Sequence, residues 1–344
     1  MTPAKTLGLL LTFFGSIALA ARTPQTISLD VRLVHVIATV ADQNGHLVPD
    51  LKATDFTVYE DGVAQKISHF SQDTDVPVSV GVLLDLSGSM RDKMSAATQA
   101  ISRFIDSIHK DDDIFLMTFS NRITVVQDFT SDRKKLSRAL ASLAVGGSTL
   151  LYDGLQRGIE KIQTGRHDKK AILVLSDGMD AGSKDATLNG LLESVRRSEV
   201  MTYGLGTGVG SYADPAEHVP FSLPSSAGPV RGPARGNRGN APVSRGGTNS
   251  ASGVNMAILG QLSEASGGRS FLLSSTYMET GASEIDNTLI RIAGELRSQY
   301  TLGYYPSTPD TGDFHSIKVV VAPQYTVRAR TGYQAKAAVP PGTR

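Results

Sequence analysis

The chain has 344 residues, with 34 basic and 33 acidic side chains, 40% hydrophobic residues and no cysteine. The length points to more than one domain, and the apolar share suffices for a sizeable core. The near-zero net charge excludes a global field that would draw nucleic acid or an anionic membrane. The missing cysteines exclude disulfides, a lipoprotein anchor and a thiol nucleophile. Residues 1–20 read as a secretory signal peptide: Lys5 supplies the positive start, 7–19 is a largely apolar run, and Ala18-Leu19-Ala20 is a small-residue cleavage site. An uncleaved anchor is the rival reading, but flanks and length suit a signal better. No later run of 18 apolar residues occurs, so the mature chain is expected to lack a transmembrane segment. The protein is read as exported, to the periplasm, the cell surface or the medium. The seven histidines show no metal-ligand spacing.

Residues 26–71 alternate polar and apolar side chains, within an N-terminal β-rich half at 26–75. Asp42 to Gly45 reads as a turn, and residues 56–67 read as a hairpin with Asp61-Gly62 at its tip. From Val76 the pattern changes to alternating strands and helices. Strands are predicted at 78–84, 114–119, 123–126, 171–175, 201–205 and 270–273. Helices are predicted at 90–109, from Ser131 as cap through 143, and at 151–162, 186–197, 256–265 and 284–296. This alternation implies an α/β fold: a doubly wound, Rossmann-like domain over 76–298 with a mainly parallel central sheet. Strands return at 300–305, 315–321 and 325–330. Neither flank, 26–75 or 299–334, is large enough to stand alone. They are expected to combine into one small β-sandwich-like domain into which the α/β domain is inserted. Residues 335–344 read as a frayed tail.

Residues 209–253 break the pattern. They are rich in Gly, Pro and Ser, carry Arg231, Arg235, Arg238 and Arg245, and have few apolar residues. Such a segment cannot bury enough surface to offset its ordering entropy, so it is read as a disordered basic insertion. It follows the predicted strand 201–205.

Three segments fall at predicted strand ends or loop tips on one sheet edge. They are Asp85-x-Ser87-x-Ser89, Gly146-Gly147-Ser148-Thr149 and Ser176-Asp177-Gly178. In an open α/β sheet, ligands bind outside the carboxyl ends of the strands. Carboxylates and hydroxyls offer oxygen alone, which suits a hard divalent cation such as Mg²⁺ or Mn²⁺. Plainer roles exist for each segment: Ser87 or Ser89 could cap a helix, Thr149 could cap the next, and Asp177-Gly178 could be an ordinary turn. Asp111-Asp112-Asp113 reads as a solvated turn. The sequence lacks the nucleophile elbow, the P-loop and the H-E-x-x-H motif.

Together the three segments resemble the metal-ion-dependent adhesion site (MIDAS) of von Willebrand factor type A (VWA) domains, over about residues 76–296. Asp85, Ser87 and Ser89 match the D-x-S-x-S motif, Thr149 the isolated threonine, and Asp177 the distal aspartate. The flanks resemble a secreted bacterial, acidobacterial-type VWFA-related family, through Val48-Pro49-Asp50-Leu51, the stretch from Asp55 to Gly62, and the stretch from Tyr300 to Pro306. The resemblance implies that Ser87, Ser89 and Thr149 bind one Mg²⁺ or Mn²⁺ directly, with Asp85 and Asp177 acting largely through water. It gives Asp153 a structural, supporting role. It further implies a non-enzymatic adhesion module whose ion accepts an Asp or Glu carboxylate from a protein partner. Relatives usually have a short connection where this chain has 209–253. The alternatives are a structural envelope component with a vacant site, or a metal-assisted hydrolase.

Overall fold

The computed structural model describes residues 33–74, 76–208, 254–274, 282–307 and 312–335. The signal peptide read at 1–20, the insertion read at 209–253 and all but Ala335 of the tail lie outside the described residues.

The centre of the molecule is strand β5, Val78–Asp85, in which every residue is buried. It lies in a six-stranded sheet of order β10-β9-β8-β5-β6-β7. The neighbours are β6 (Asp113–Phe119), β7 (Ile123–Thr130), β8 (Lys169–Ser176), β9 (Met201–Gly208) and β10 (Ser270–Ser274). All pairings are parallel except β6 with β7, which gives the sheet one antiparallel edge. Helices cover both faces, which is why the strands read as continuous apolar runs. Helices α1 (Met94–Ser107), α2 (Arg133–Ala141) and α6 (Ala282–Arg297) share a core with Val80, Val82 and Leu84. On the other face, α3 (Leu151–Ile162), α4 (Leu188–Ser198) and α5 (Met256–Ser266) pack against Leu83, Phe115 and Ile172. Each such fully buried side chain contributes roughly 1.5–3 kcal/mol of transfer free energy.

This order sets the place of the site. From β5 the chain moves to β6 and β7 on one side, then crosses back to β8 on the other. The sheet therefore has its topological switch point at the carboxyl end of β5, the place where ligands bind in open α/β sheets.

Most elements end within a few residues of the sequence reading, and three differences have a clear physical reason. Helix α1 starts at Met94 instead of residue 90, because residues 88–90 form a separate 3₁₀ turn whose Gly88 N–H is held by the Gly147 carbonyl at 3.1 Å. Helix α2 is capped by Asp132 and not by Ser131. The Asp132 carboxylate accepts from Lys134 N and Lys135 N, and its charge suits the positive helix start. The short strand β14, Gly332–Gln334, is additional; three residues are too few to show an alternation.

The flanks form two four-stranded sheets, each drawing strands from both ends of the chain. In the first, β1 (Val34–Asp42) lies antiparallel between β11 (Ser298–Tyr304) and β13 (Tyr325–Ala329), and β4 (Ile67–Thr74) pairs with β11. In the second, β12 (Phe314–Val320) lies between β2 (Thr57–Glu60) and β14, with β3 (Val63–Gln65) outside β2. One core, including Val36, Val58, Leu302 and Ile317, joins the two sheets. Tyr300 donates its phenol proton to the Val48 carbonyl at 2.7 Å and accepts from Leu51 N at 3.1 Å. Helix α6 passes directly into β11, and buried Glu295 of α6 pairs with Arg328 of β13 at 2.7 Å.

Candidate metal centre

The last residue of β5 is Asp85, whose side chain is fully buried. Its Oδ1 accepts from the Ser87 backbone N–H at 2.8 Å, which turns the chain sharply out of the strand. Its Oδ2 accepts from Ser176 Oγ at 2.7 Å, across the junction of β5 and β8. Burial pushes the Asp85 carboxyl above its ordinary pKa. Hydrogen bonds from Ser176 and Ser87 oppose that shift, and the nearby Asp177 charge adds to it.

Two and four residues past Asp85, the Ser87 and Ser89 hydroxyls lie 3.0 Å apart. Ser89 donates to Asp177 Oδ2 at 2.5 Å, while Asp177 Oδ1 accepts from Met179 N at 3.0 Å. Asp85, Ser87, Ser89 and Asp177 thus form one continuous cluster of oxygens.

The loop bearing Thr149 is docked onto this cluster through its backbone. Gly146 N donates to the Leu86 carbonyl at 2.8 Å, next to the Gly88–Gly147 bond. Thr149 is 6% exposed, but its hydroxyl has no hydrogen bond to the other four residues. Gly147 has φ +107°, and a side chain there would meet Asn121 at 2.7 Å. Asn121 Oδ1 in turn accepts from Ser148 N at 2.6 Å.

Asp153 stands apart. Its carboxylate accepts three backbone N–H groups, from Lys184 (2.9 Å), Asp185 (3.1 Å) and Ala186 (2.7 Å), and so holds the loop that follows β8.

The plainer roles of these residues are accounted for differently. Ser87 precedes the 3₁₀ turn, yet its side chain makes no capping bond. Helix α1 begins after Lys93, without a side-chain cap. At α3, the first-turn N–H groups of Tyr152 and Asp153 go to Asp180 Oδ1 (3.2 Å) and Ser183 Oγ (3.1 Å), not to Thr149. Asp177 does close a turn, with Gly178 at φ +74°, while its second oxygen reaches Ser89. The turn is further pinned by Asn255 N, which donates to the Asp177 carbonyl at 2.7 Å.

The donor set is all oxygen. Asp85 and Asp177 are both buried, and neither has a lysine, arginine or histidine partner among the described residues. Lys93, close in sequence, is instead bonded to the Thr207 carbonyl at 2.8 Å. Two buried carboxylates without a counter-charge are costly, and a divalent cation is the group that would relieve them. The residues present therefore fit such an ion.

Four contributors escape the sequence reading. Ser176 and Asn121 position the cluster, and Asp180 and Ser183 cap α3. Ser176 sits inside a recognised segment without an assigned role. Asn121 falls between the strands predicted at 114–119 and 123–126 and carries no assigned role.

Residues 80–179 match the family model of the von Willebrand factor type A domain. With the mixed, mainly parallel sheet and its covering helices, the chain carries a VWA domain of α/β fold. Domains of this class are commonly protein-interaction modules, and enzymes are the minority among them. The chain is similar to the uncharacterized protein sll0103 of Synechocystis, 29% identical over 140 residues, which are 39% of this chain and 33% of that protein. It is also similar to mouse inter-alpha-trypsin inhibitor heavy chain H3, 27% identical over 149 residues, 39% of this chain and 17% of that one. The chain therefore spans a third or less of the curated relatives it matches. A solved von Willebrand factor type A structure from Catenulispora acidiphila superposes with a TM-score of 0.47 at 12% identity, over 91% of this chain and 75% of that one. Among the described residues no helix is long and apolar enough to cross a membrane, which says nothing of a β-barrel.

Proposed function

We propose that this chain is an exported, non-enzymatic adhesion or interaction module that presents a divalent cation, Mg²⁺ or Mn²⁺, to an Asp or Glu carboxylate of a protein partner. The observation that carries the reading is the pair of buried carboxylates, Asp85 and Asp177, joined through serine hydroxyls with no basic partner among the described residues. Ser87, Ser89 and Thr149 would hold the ion, with Asp85 and Asp177 in direct or water-bridged support. Bound there, such an ion supplies Lewis acidity that neutral hydroxyl ligands leave largely undiminished. Asp85 and Ser176 fix the turn that aims the two serines. The docking of the Gly146–Thr149 loop on Leu86 and Gly88, with Asn121 holding Ser148, supports a place for the threonine in that set. Asp153 holds the neighbouring loop and would act as support.

The same reading divides the chain into an α/β domain at 76–298 set into a β-rich domain built from 26–75 and 299–334. The mixed-flank sheets support that division, since each needs strands from both ends of the chain. Export rests on residues 1–20 alone.

Calorimetry with Mg²⁺ and Mn²⁺ on the mature chain tests the cation reading, with one ion per chain expected. Capture from an envelope extract in Mg²⁺, followed by elution with EDTA, tests the partner reading. Phosphate release from generic esters would instead favour a hydrolase. Identical thermal stability in EDTA and Mg²⁺ would favour a structural component with a vacant site.

A further inference from the structure

A second polar cluster lies away from the strand-edge centre, in the sheet that joins the two flanks. Glu60 ends β2, Asp61 opens the hairpin turn to β3, and His315 lies on β12. The register pairs Glu60 with Ile317, which brings Asp61 against Ser316 and leaves His315 just beyond. Asp61 has φ +48° and Gly62 φ +81°, the conformation of a tight hairpin turn that Asp-Gly suits. That turn fixes the direction of the Asp61 carboxylate.

The two carboxylates are oriented in the same manner. Glu60 Oε2 accepts from the phenols of Tyr304 at 2.5 Å and Tyr333 at 3.1 Å. Its other oxygen, Oε1, lies 3.8 Å from His315 Nδ1. Asp61 Oδ1 accepts from Ser316 N at 2.8 Å and from Ser316 Oγ at 3.0 Å. Its other oxygen, Oδ2, lies 2.7 Å from the same Nδ1. Each carboxylate is thus held by groups outside the cluster and has an oxygen within 4 Å of one imidazole nitrogen. The ring plane is set by stacking on Tyr333, with centroids 5.3 Å apart. The three donor atoms all lie within 4.8 Å of one another. Glu60 and His315 are buried, whereas Asp61 is about half exposed and gives the cluster an opening to solvent.

We propose that Glu60, Asp61 and His315 form a second cation site, of transition-metal type, that binds Zn²⁺ or a similar ion between the two flanks of the chain. One imidazole and two carboxylates suit Zn²⁺ better than Mg²⁺, which prefers oxygen alone. The tyrosine and Ser316 bonds orient the ligands as outer partners do in metal sites. Three protein donors leave a position for water at the exposed Asp61 side. Because Glu60 and Asp61 come from the N-terminal flank and His315 from the C-terminal one, an ion there would staple the two together.

The test is Zn²⁺ titration of the mature chain by calorimetry, in an Asp85→Ala background that removes the strand-edge centre. One equivalent of Zn²⁺ should bind, and it should raise the melting temperature. Asp61→Asn keeps an acceptor for Ser316 and sits at an exposed position, so it should fold. It should weaken Zn²⁺ at least ten-fold, as should His315→Gln. Substitution with Co²⁺ should give visible d–d absorption that both variants lose. Zn²⁺ affinity unchanged in both variants, or no binding in the Asp85→Ala chain, overturns the site and leaves the cluster as a histidine–aspartate hydrogen bond. Neither result bears on Mg²⁺ binding by the unmodified chain.

Discussion

Ser176 donates its hydroxyl proton to Asp85 at 2.7 Å, and so joins the carboxyl ends of β8 and β5 at the topological switch point of the sheet. The same oxygen accepts from Gly178 N at 3.0 Å. One hydroxyl therefore serves both the buried carboxylate and the turn that carries Asp177. Ser176→Ala removes a donor from a fully buried anion. It should destabilise the fold by about 1–3 kcal/mol in urea denaturation. It should also weaken Mg²⁺ binding in calorimetry while leaving the stoichiometry at one. Unchanged stability would mean that the bond is not formed in solution.

Asp85→Ala should abolish Mg²⁺ and Mn²⁺ binding, because the hydroxyls cannot replace the lost charge. Ligand linkage supplies an independent readout. A cation at about 100 times its dissociation constant stabilises the folded chain by about 2.7 kcal/mol, which EDTA should remove. The melting temperature of the unmodified chain should fall in EDTA, and that of Asp85→Ala should not move. Calorimetric affinity that survives in Asp85→Ala would refute the assignment.

Gly178 meets two constraints at once. Its φ of +74° is one that side chains rarely adopt, and a Cβ would sit 2.4 Å from the Asn255 carbonyl oxygen. Gly178→Ala should cost more than about 1 kcal/mol, since strain and overlap add. It should also displace Asp177, so cation affinity should fall along with stability. Equal affinity in the variant would show that the turn does not set the position of Asp177.

The alternation of strands and helices and the helix faces were legible because they rest on regular hydrophobic patterns. The run before Asp85 reads as a strand covered on both sides, and it is one. The helix over 151–162 was legible to the residue, since Leu151, Leu155, Ile159 and Ile162 form an apolar stripe. The start of α1 was not. The backbone of Gly88 is drawn to Gly147 by a contact from a loop some sixty positions away, and this holds Met90 in a separate turn ahead of the helix. The cap of α2 was missed by one residue, because Ser131 and Asp132 are both good caps and only geometry chooses between them. Ser176 and Asn121 were invisible for a related reason. Their roles depend on which loop end lies opposite, and no local pattern encodes that. The cluster around His315 escaped because that histidine lies more than 250 residues from Asp61 in the chain.

Asp153 offers a test that separates support from ligation. Its carboxylate satisfies three backbone N–H groups of the loop at 184–186. Asp153→Ala leaves those donors without their acceptor and should cost at least about 2 kcal/mol. The Mg²⁺ stoichiometry should persist, with affinity reduced only modestly. Complete loss of cation binding in a variant that remains folded by circular dichroism would place Asp153 among the ligands instead.

Partner binding should depend on the cation and tolerate loss of residues 209–253. Strand β9 ends at Gly208, and Val254 lies against Gly206 of that strand. The two ends of the segment are therefore close enough for a short glycine-serine link to bridge them. Replacing 209–253 by such a link should leave the melting temperature nearly unchanged. The flanking residues sit on the same edge as Asp177, through Asn255. The four arginines removed would otherwise steer an acidic partner, an effect that salt screens over about 10 Å at 0.1 M. Surface plasmon resonance should show a slower association for the shortened chain at low salt, a difference that fades as salt rises, and little change in dissociation. Addition of EDTA should eliminate partner binding by both forms. Capture that persists undiminished in EDTA would exclude the cation as the binding element and favour the structural role.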